Sequence, residues 1–585
     1  MYLNTFDWTV LAVYGVATVS LGLAFARRAA QGTGQYFLAG RQLPWWILGT
    51  SMVATTFSTD TPNLVTDLVR NKGVSGNWMW WAYVITGMCT TFFYARLWRR
   101  TGVFTDIGFY ELRYSGRPAV FLRAFRAIYL GVFFNVAIMA AVMLAGIKIA
   151  GVLVGVEPYV TVLVVAVATS AYAAMSGLRG VVVTDVVLFI TAMVGAVAAA
   201  WYALDHPAVG GLEALIAHPN VKENLSFLPD FSNWETVLVV FLIPLAVQWW
   251  ATWYPGAEPG GGGYVAQRLL SARNERHAMV AMLWFNIAHY AIRPWPWILV
   301  ALASLIVYPT LDSMREAFPH VDPSIVRHDL AYPAMLVFLP HGLLGLVIAS
   351  LAAALMSTLS THLNWGASYV IDDVYRRFLV PEQSEAHYIR AARFSTVGLV
   401  AIAALVALWL EHALQAFQIL LQIGAGTGLI FLLRWFWWRI NAWSEITAMI
   451  VSFAVAIWFA IVHDALGLQL PSAVVQLLIG VAITTSAWLI VTFVTQPTET
   501  AVLQTFYSRV RPFSRGWRHV VNTKRDESGS VTSALIAWLV ACVLVYLVLF
   551  GTGFALYGDT VPVIVCVLLA IAAAVSLFKV LRSTT

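Results

Sequence analysis

About fifteen apolar stretches of helix-spanning length dominate this chain, near 8–26, 44–69, 78–98, 121–151, 158–177, 179–203, 235–254, 278–308, 341–370, 390–410, 413–435, 443–463, 471–494, 532–550 and 560–581. A helix needs about 20 such residues to cross a bilayer, and in lipid it must satisfy its own backbone groups. The pattern predicts an all-α polytopic membrane protein. The runs are continuous, unlike the ten-residue alternation of a membrane β-barrel, and they leave no room for a sizeable soluble domain. Composition agrees, with 60% hydrophobic and 11% charged residues and a mean hydropathy of +0.76, which excludes an ordinary soluble protein.

The opening MYLNTFDW carries no basic segment and no small-residue cleavage site, so 8–26 reads as a retained helix rather than a signal peptide. Cys89, Cys542 and Cys566 all fall in apolar runs and indicate neither a disulfide framework nor a metal site. The net charge of +6 does not point to nucleic acid. Lys and Arg concentrate in alternate loops such as ARRAAQ, ARLWRRTG, DDVYRRF and 495–531, which puts the N-terminus outside and the C-terminus in the cytoplasm. The basic 495–531 segment reads as a cytoplasmic surface near anionic headgroups. Two cations fall inside runs. Lys148 lies near an outer end and can snorkel. Arg293, mid-span in NIAHYAIRPWPW, cannot, so it must face the bundle interior.

Residues 352–364, AAALMSTLSTHLN, place Ser357, Thr358, Ser360 and Thr361 at helical spacings of three and four. Such hydroxyls can replace water around a hard cation. They are also common where membrane helices pack closely or bond back to their own backbone. From the cluster alone both readings stay open.

Two runs look broken. In 44–69, Ser58, Thr59, Asp60, Thr61 and Pro62 sit mid-span, where a proline removes a donor and an acid is expensive. Asp60 serves either as a functional group or as a cap on the second half-helix. The segment WWATWYPGAEPGGGGYVAQR ends the 235–254 run with two prolines and four glycines. It reads as a flexible inner loop carrying Glu258, either a gate or a plain linker.

Six segments in order, FLAGRQLPWWILGTSMVATTFS, GVFTDIGFYELRYSG, GLRGVVVTDVVLF, ALMSTLSTHLN, DDVYRRF and LLRWFWWRINAWSEITAM, resemble the sodium:solute symporter family between about residues 36 and 460. That group includes bacterial proline, galactose and sialic acid transporters and human sodium–glucose transporters. The resemblance implies a leucine-transporter-type fold of two inverted five-helix repeats. The core would span 44–435, preceded by a first helix and loop (1–43). Accessory helices (436–494), the basic segment (495–531) and two further helices (532–585) would follow. A main sodium site would fall on the carbonyls of Ala54, Phe57 and Ala354 and the hydroxyls of Ser357 and Thr358. A second, present in some members, would fall on Asp185, Ser357, Ser360 and Thr361, with a structural role for Asp185 as the competing reading.

The substrate side departs from the better-known members. Thr61 stands where sugar transporters carry an amide or histidine, and Thr56 where the proline type has an acid. Candidates here are Thr56, Asp60, Thr61, Asn77, Trp80, Trp249, Trp250, His289 and Arg293. Tryptophan faces can stack on sugar rings, although many of the 25 Trp serve interfacial belts and packing. Arg293 could clamp a carboxylate or neutralise Asp60. The expectation is a sodium-coupled importer of a small polar solute, with a sugar or polyol preferred and an organic acid or amino acid as the alternative. Its partners would be sodium, the solute and the bilayer, with no organic cofactor, nucleic acid or obligatory protein partner. A channel predicts a continuous polar pore rather than broken helices. A transporter-like sensor predicts an attached catalytic domain, where this chain ends FKVLRSTT. An enzyme lacks support: there is no HExxH, GxSxG or paired thiols.

Overall fold

The computed structural model describes residues 3–251, 258–410, 424, 426–463, 466–521 and 530–584. The described residues are helical apart from turns and loops, with one isolated bridge pairing Leu43 and Ala272. The helices used below are α1 (Thr5–Leu23), α2 (Trp45–Thr55) and α3 (Asp60–Lys72). There follow α4 (Gly116–Leu153), α5 (Pro158–Asp205), α6 (Trp234–Ala246) and α7 (Gly263–Ser271). Then come α8 (Glu275–Val307), α9 (Leu343–Leu379), α10 (Glu385–Trp409), α11 (Ala442–Ile457), α12 (Ala473–Val494), α13 (Val531–Tyr557) and α14 (Thr560–Val580).

Nine helices among the described residues are long and apolar enough to cross a membrane. The remaining expected runs are shorter or interrupted. The 44–69 run splits into α2 and α3, and 78–98 breaks at 82–83 into Trp78–Trp81 and a helix over 84–101 that is π-helical at Thr90–Tyr94. Most of 413–435 lies outside the described residues. The two runs expected at 158–177 and 179–203 meet inside α5 at Gly177, whose φ of +57° breaks the helix. Any side chain there would meet Ala29 Cβ at 2.8 Å and the Tyr36 carbonyl at 3.1 Å. At 1.5 Å per residue the whole of α5 would otherwise be roughly 70 Å long, over twice a bilayer core.

Burial separates centre from rim. In the most apolar windows of α4, α8 and α9, 78% of residues are buried, against 11% for the helix that begins at Thr5 and for α14. The central α9 packs on α5, and α2 packs on α8, α5 and α9. The first helix is tied to the start of α9 through Asp7. Its carboxylate accepts from the Gly342 N–H (2.5 Å) and the Gly345 N–H (3.0 Å) and meets His341 at 2.7 Å. An anion there satisfies donors that every helix start leaves open.

Two sequence expectations change, for Lys148 and for the glycine-rich segment. Lys148 does not snorkel: its Nζ pairs with Asp329 at 2.6 Å, on the loop between α8 and α9. The glycine-rich segment is no flexible linker from residue 258 onward. Residues 252–257 lie outside the described set, but Glu258 through Ser271 are buried and end in helix α7. Gly260 and Gly261, at φ +82° and +89°, let the backbone lie against Tyr94 and Trp98, where a Cβ would approach to 2.9 Å. Glu258 itself is a buried ion-pair member, bonded to Arg126 and 3.6 Å from Arg434, which also holds Glu445 at 3.2 Å. Beside this, Arg123 joins Glu111 to Asp373 at the end of α9. Burial alone would raise the Glu111 carboxyl, but Arg123 and Arg377 hold it below the ordinary glutamate range.

Candidate functional site

The break between α2 and α3 faces the hydroxyl stripe of α9. Residues 56–59 leave the helical ladder, and Pro62 then falls in the first turn of α3, where its missing N–H costs nothing. Asp60 opens that turn, favoured by the positive helix end. The Thr61 hydroxyl donates back across the break to the Thr56 carbonyl at 3.0 Å. The Phe57 N–H donates to the Ala54 carbonyl at 3.0 Å.

The four α9 hydroxyls do not form one cluster. At about 100° per residue, Thr358, Thr361 and Ser357 follow one another around the helix, from α2 toward α5. Thr358 is within donating distance of the Thr55 carbonyl (2.9 Å) and the Ala354 carbonyl (3.2 Å). Thr361 lies 3.2 Å from the Thr55 hydroxyl. Ser357 donates to Asp185. Ser360 turns back on its own helix, donating to the Ser357 carbonyl at 3.0 Å, as the packing reading allows.

Of the residues expected around Asp185, the structure therefore gathers Ser357 and Thr361 but not the Ser360 hydroxyl. It adds two that the sequence reading missed. Ser51 donates to Asp185 at 2.5 Å. Arg268, from α7, lies 4.0 Å from the same carboxylate and donates to Thr361 at 2.8 Å. Asp185, Ser51, Arg268 and Thr361 are all fully buried. The available signal was an arginine in the largely apolar YVAQRLLS, directly after a glycine run; reading that stretch as a loop hid it.

Arg293 is fully buried, as its mid-span position required. Its Nη1 donates to the Val53 carbonyl and the Thr56 hydroxyl, both at 3.2 Å, and its plane lies 5.2 Å from the Trp297 ring. His289 Nδ1 meets the same Thr56 hydroxyl at 3.0 Å. Arg293 and Asp60 are electrostatic neighbours but form no ion pair within 4.0 Å. Trp80 stacks on Tyr290 at 5.6 Å and meets His289 edge-on at 5.7 Å. Asn77 is spent locally: its oxygen accepts from the Trp80 indole at 2.8 Å and its amide donates to the Val74 carbonyl. It therefore orients Trp80. Trp249 and Trp250 contact each other, and Trp249 also meets Trp538 of α13 at 5.9 Å. The sequence reading also missed a cleft lined by Tyr83, Thr86, Tyr264, Phe285 and Tyr290.

A family model for the sodium:solute symporter family matches residues 36–452. The chain belongs to the sodium:solute symporter family. It is 25% identical over 472 residues to the sodium/glucose cotransporter of Vibrio parahaemolyticus, covering 78% of this chain and 85% of that one. It is 23% identical to sodium/glucose cotransporter 1 of Oryctolagus cuniculus, covering 79% and 73%. The solved structure of a sodium-coupled sialic acid symporter in a substrate-bound outward-open state aligns with a TM-score of 0.69 at 21% identity. That alignment covers 85% of this chain and 99% of the other. The symporter is thus an all-α, multi-pass membrane protein of leucine-transporter-type fold, and its family work is transport.

Proposed function

We propose that this symporter imports a small polar solute with sodium by alternating access, with its N-terminus outside and its C-terminus in the cytoplasm. One observation carries the reading: the Thr358 hydroxyl sits 2.9 Å from the Thr55 carbonyl. This brings the α9 hydroxyls against the backbone freed at the α2–α3 break, a set of oxygens suited to a hard cation. Sodium is assigned to Ala54, Phe57, Ala354, Ser357 and Thr358, within a core of 44–435. The gradient suffices as a drive. Roughly 100 mV contributes about 2.3 kcal/mol per sodium, and a tenfold gradient about 1.4 kcal/mol.

The solute site is assigned to the group that Thr56, His289, Trp80 and Tyr290 form beside the break, next to the cleft that Tyr290 also lines. A stacked aromatic face with polar neighbours suits a sugar or polyol. Thermal unfolding screened against solutes, with sodium or with potassium, tests this. A hit should raise the melting temperature more in sodium, because two ligands of one state stabilise each other's binding. Solute hits indifferent to sodium would reject coupling.

A second reading, an organic acid or amino acid, is favoured by Arg293. Its Nη1 is pinned, but among the described residues Nε and Nη2, the edge that grips a carboxylate bidentately, have no partner, and neither does Asp60 Oδ1. If that edge takes substrate, Arg293→Gln should abolish uptake of the acidic solute while sodium-induced stabilisation persists. If Arg293 only balances Asp60, adding Asp60→Asn should recover the stability that Arg293→Gln loses. Loss of sodium stabilisation in the single variant, with no recovery in the double, would defeat both versions.

A further inference from the structure

We propose that an open basin, where the chain leaving α1, the chain entering α2 and α8, and the stretch of α5 just after the Gly177 break meet, binds the headgroup of an anionic phospholipid. The basin measures about 720 Å³, well within the range of ligand sites. Three guanidinium groups, Arg41, Arg179 and Arg273, line it beside Phe25, Trp46 and Val183. Among the described residues, none of the three arginines is paired with a carboxylate. Arg28 adds a fourth positive charge near Arg179. Burial, and then repulsion by Arg99 and Arg509, pushes the Arg41 guanidinium below its ordinary range. The basin therefore holds an excess of positive charge with no internal counterion.

The basin is built rather than incidental. Ala39, Gly40 and Arg41 are consecutive left-handed residues at φ +49°, +66° and +58°. Two of them carry side chains that disfavour this conformation, a strain that surrounding contacts must hold. Arginine side chains supply those contacts. Arg41 Nη2 donates to the Gly102 and Val103 carbonyls, both at 2.9 Å. Arg179 Nη2 donates to the Ala39 carbonyl at 3.2 Å, and Arg273 Nε to the Gln42 carbonyl at 2.8 Å. The Leu43–Ala272 bridge closes the floor. Among the described residues the buried Arg179 Nε has no partner.

The apolar wall selects a lipid over a soluble anion. Trp46 is 47% exposed and Val187, one turn along α5 from Val183, is 42% exposed. Both continue the basin onto the lipid-facing surface, where acyl chains would lie while the phosphate sits among the arginines. Basic pockets between membrane helices bind such headgroups in this way. Under the orientation proposed above the leaflet is the cytoplasmic one, but the site itself does not depend on that orientation.

The full chain in nanodiscs of phosphatidylcholine, with or without phosphatidylglycerol, tests this by retained lipid in native mass spectrometry and by thermal unfolding. Wild type should retain phosphatidylglycerol preferentially and unfold at a higher temperature with it. Arg179→Gln with Arg273→Gln should weaken retention roughly thirtyfold, from two headgroup cations. Arg515→Gln with Arg518→Gln, an equal loss of charge in the basic segment, should leave retention near wild type. If the first pair fails to fold, the exposed Arg273→Gln alone should still weaken retention about fivefold. Equal retention in wild type and the Arg179/Arg273 variant overturns the proposal. So does equal weakening by both pairs, which would mean a diffuse basic surface. Stabilisation by inorganic phosphate alone would make this a soluble-anion site, and a lipid effect confined to dimers would give the basin to a second copy. Either overturns it as well.

Discussion

Thr358→Ala is expected to raise the sodium concentration for half-maximal uptake by roughly ten- to a hundredfold, with the maximal rate approached at high sodium. A hydroxyl bonded to a charged partner is worth about 1.5–3 kcal/mol, and about 1.4 kcal/mol is one decade. Among the described residues the Thr358 hydroxyl bonds only to backbone carbonyls, at Thr55 and Ala354, so its loss strands no buried charge there. Thr358→Ser should restore most of the sodium affinity. Ser357→Ala should act differently, because its hydroxyl donates to Asp185; the steepness of the activation curve should change along with its midpoint. Uptake in proteoliposomes over a sodium series, at matched protein content, decides this. Wild-type sodium activation in both alanine variants would remove the assignment of the site.

Arg268→Gln should produce the largest loss of stability in sodium-free buffer, and sodium should reverse much of it. Arg268 is the cation nearest a fully buried Asp185, at 4.0 Å. Removing one partner of such a pair leaves an uncompensated charge and costs about 3–5 kcal/mol. The vacated space is bordered by Asp185, Ser51, Ser357 and Thr361, all oxygen donors to a small cation. In the wild protein a sodium bound there must compete with the guanidinium. In the variant it would be the only cation available. Thermal unfolding in potassium and in sodium should therefore differ more for Arg268→Gln than for wild type. Asp185→Asn added to Arg268→Gln should recover stability and erase that extra sensitivity. A variant whose melting temperature ignores sodium would show that the Asp185 pocket is structural. Wild-type transport would then have hyperbolic sodium dependence rather than the sigmoidal form two bound sodiums require.

Much of this was legible in the chain. Continuous apolar runs dictate spanning helices because lipid offers the backbone no partners. The placement of Ser58–Pro62 located the α2–α3 break, although it is residues 56–59 that leave the ladder and Asp60 that opens the next helix, with Pro62 in its first turn. The mid-span position of Arg293 required burial, because the cost of a charge in lipid depends on depth, which sequence reports. Spacing along one helix put four hydroxyls on α9, since rotation per residue is a local property.

What a sequence pattern does not carry is the identity of the opposing surface. The α9 hydroxyls read as one cluster, yet they sort onto a broken-helix carbonyl, a guanidinium, a carboxylate and their own backbone. Which neighbour each one meets depends on helices some 100 to 300 residues away. Lys148 snorkels by local logic but pairs with Asp329 because a distant loop folds over it. The four glycines read as freedom, and tertiary packing used them for close approach to Tyr94 and Trp98. By itself the sequence determined that this chain is a membrane-embedded helical transporter with a hydroxyl-lined helix and a broken one. Only the tertiary structure decided that Arg268 stands beside Asp185, that Arg293 keeps a carboxylate-gripping edge without a partner among the described residues, and that three arginines share one basin. Periodicity and depth are written along the chain; contacts between charges distant in sequence are fixed only when the helices pack.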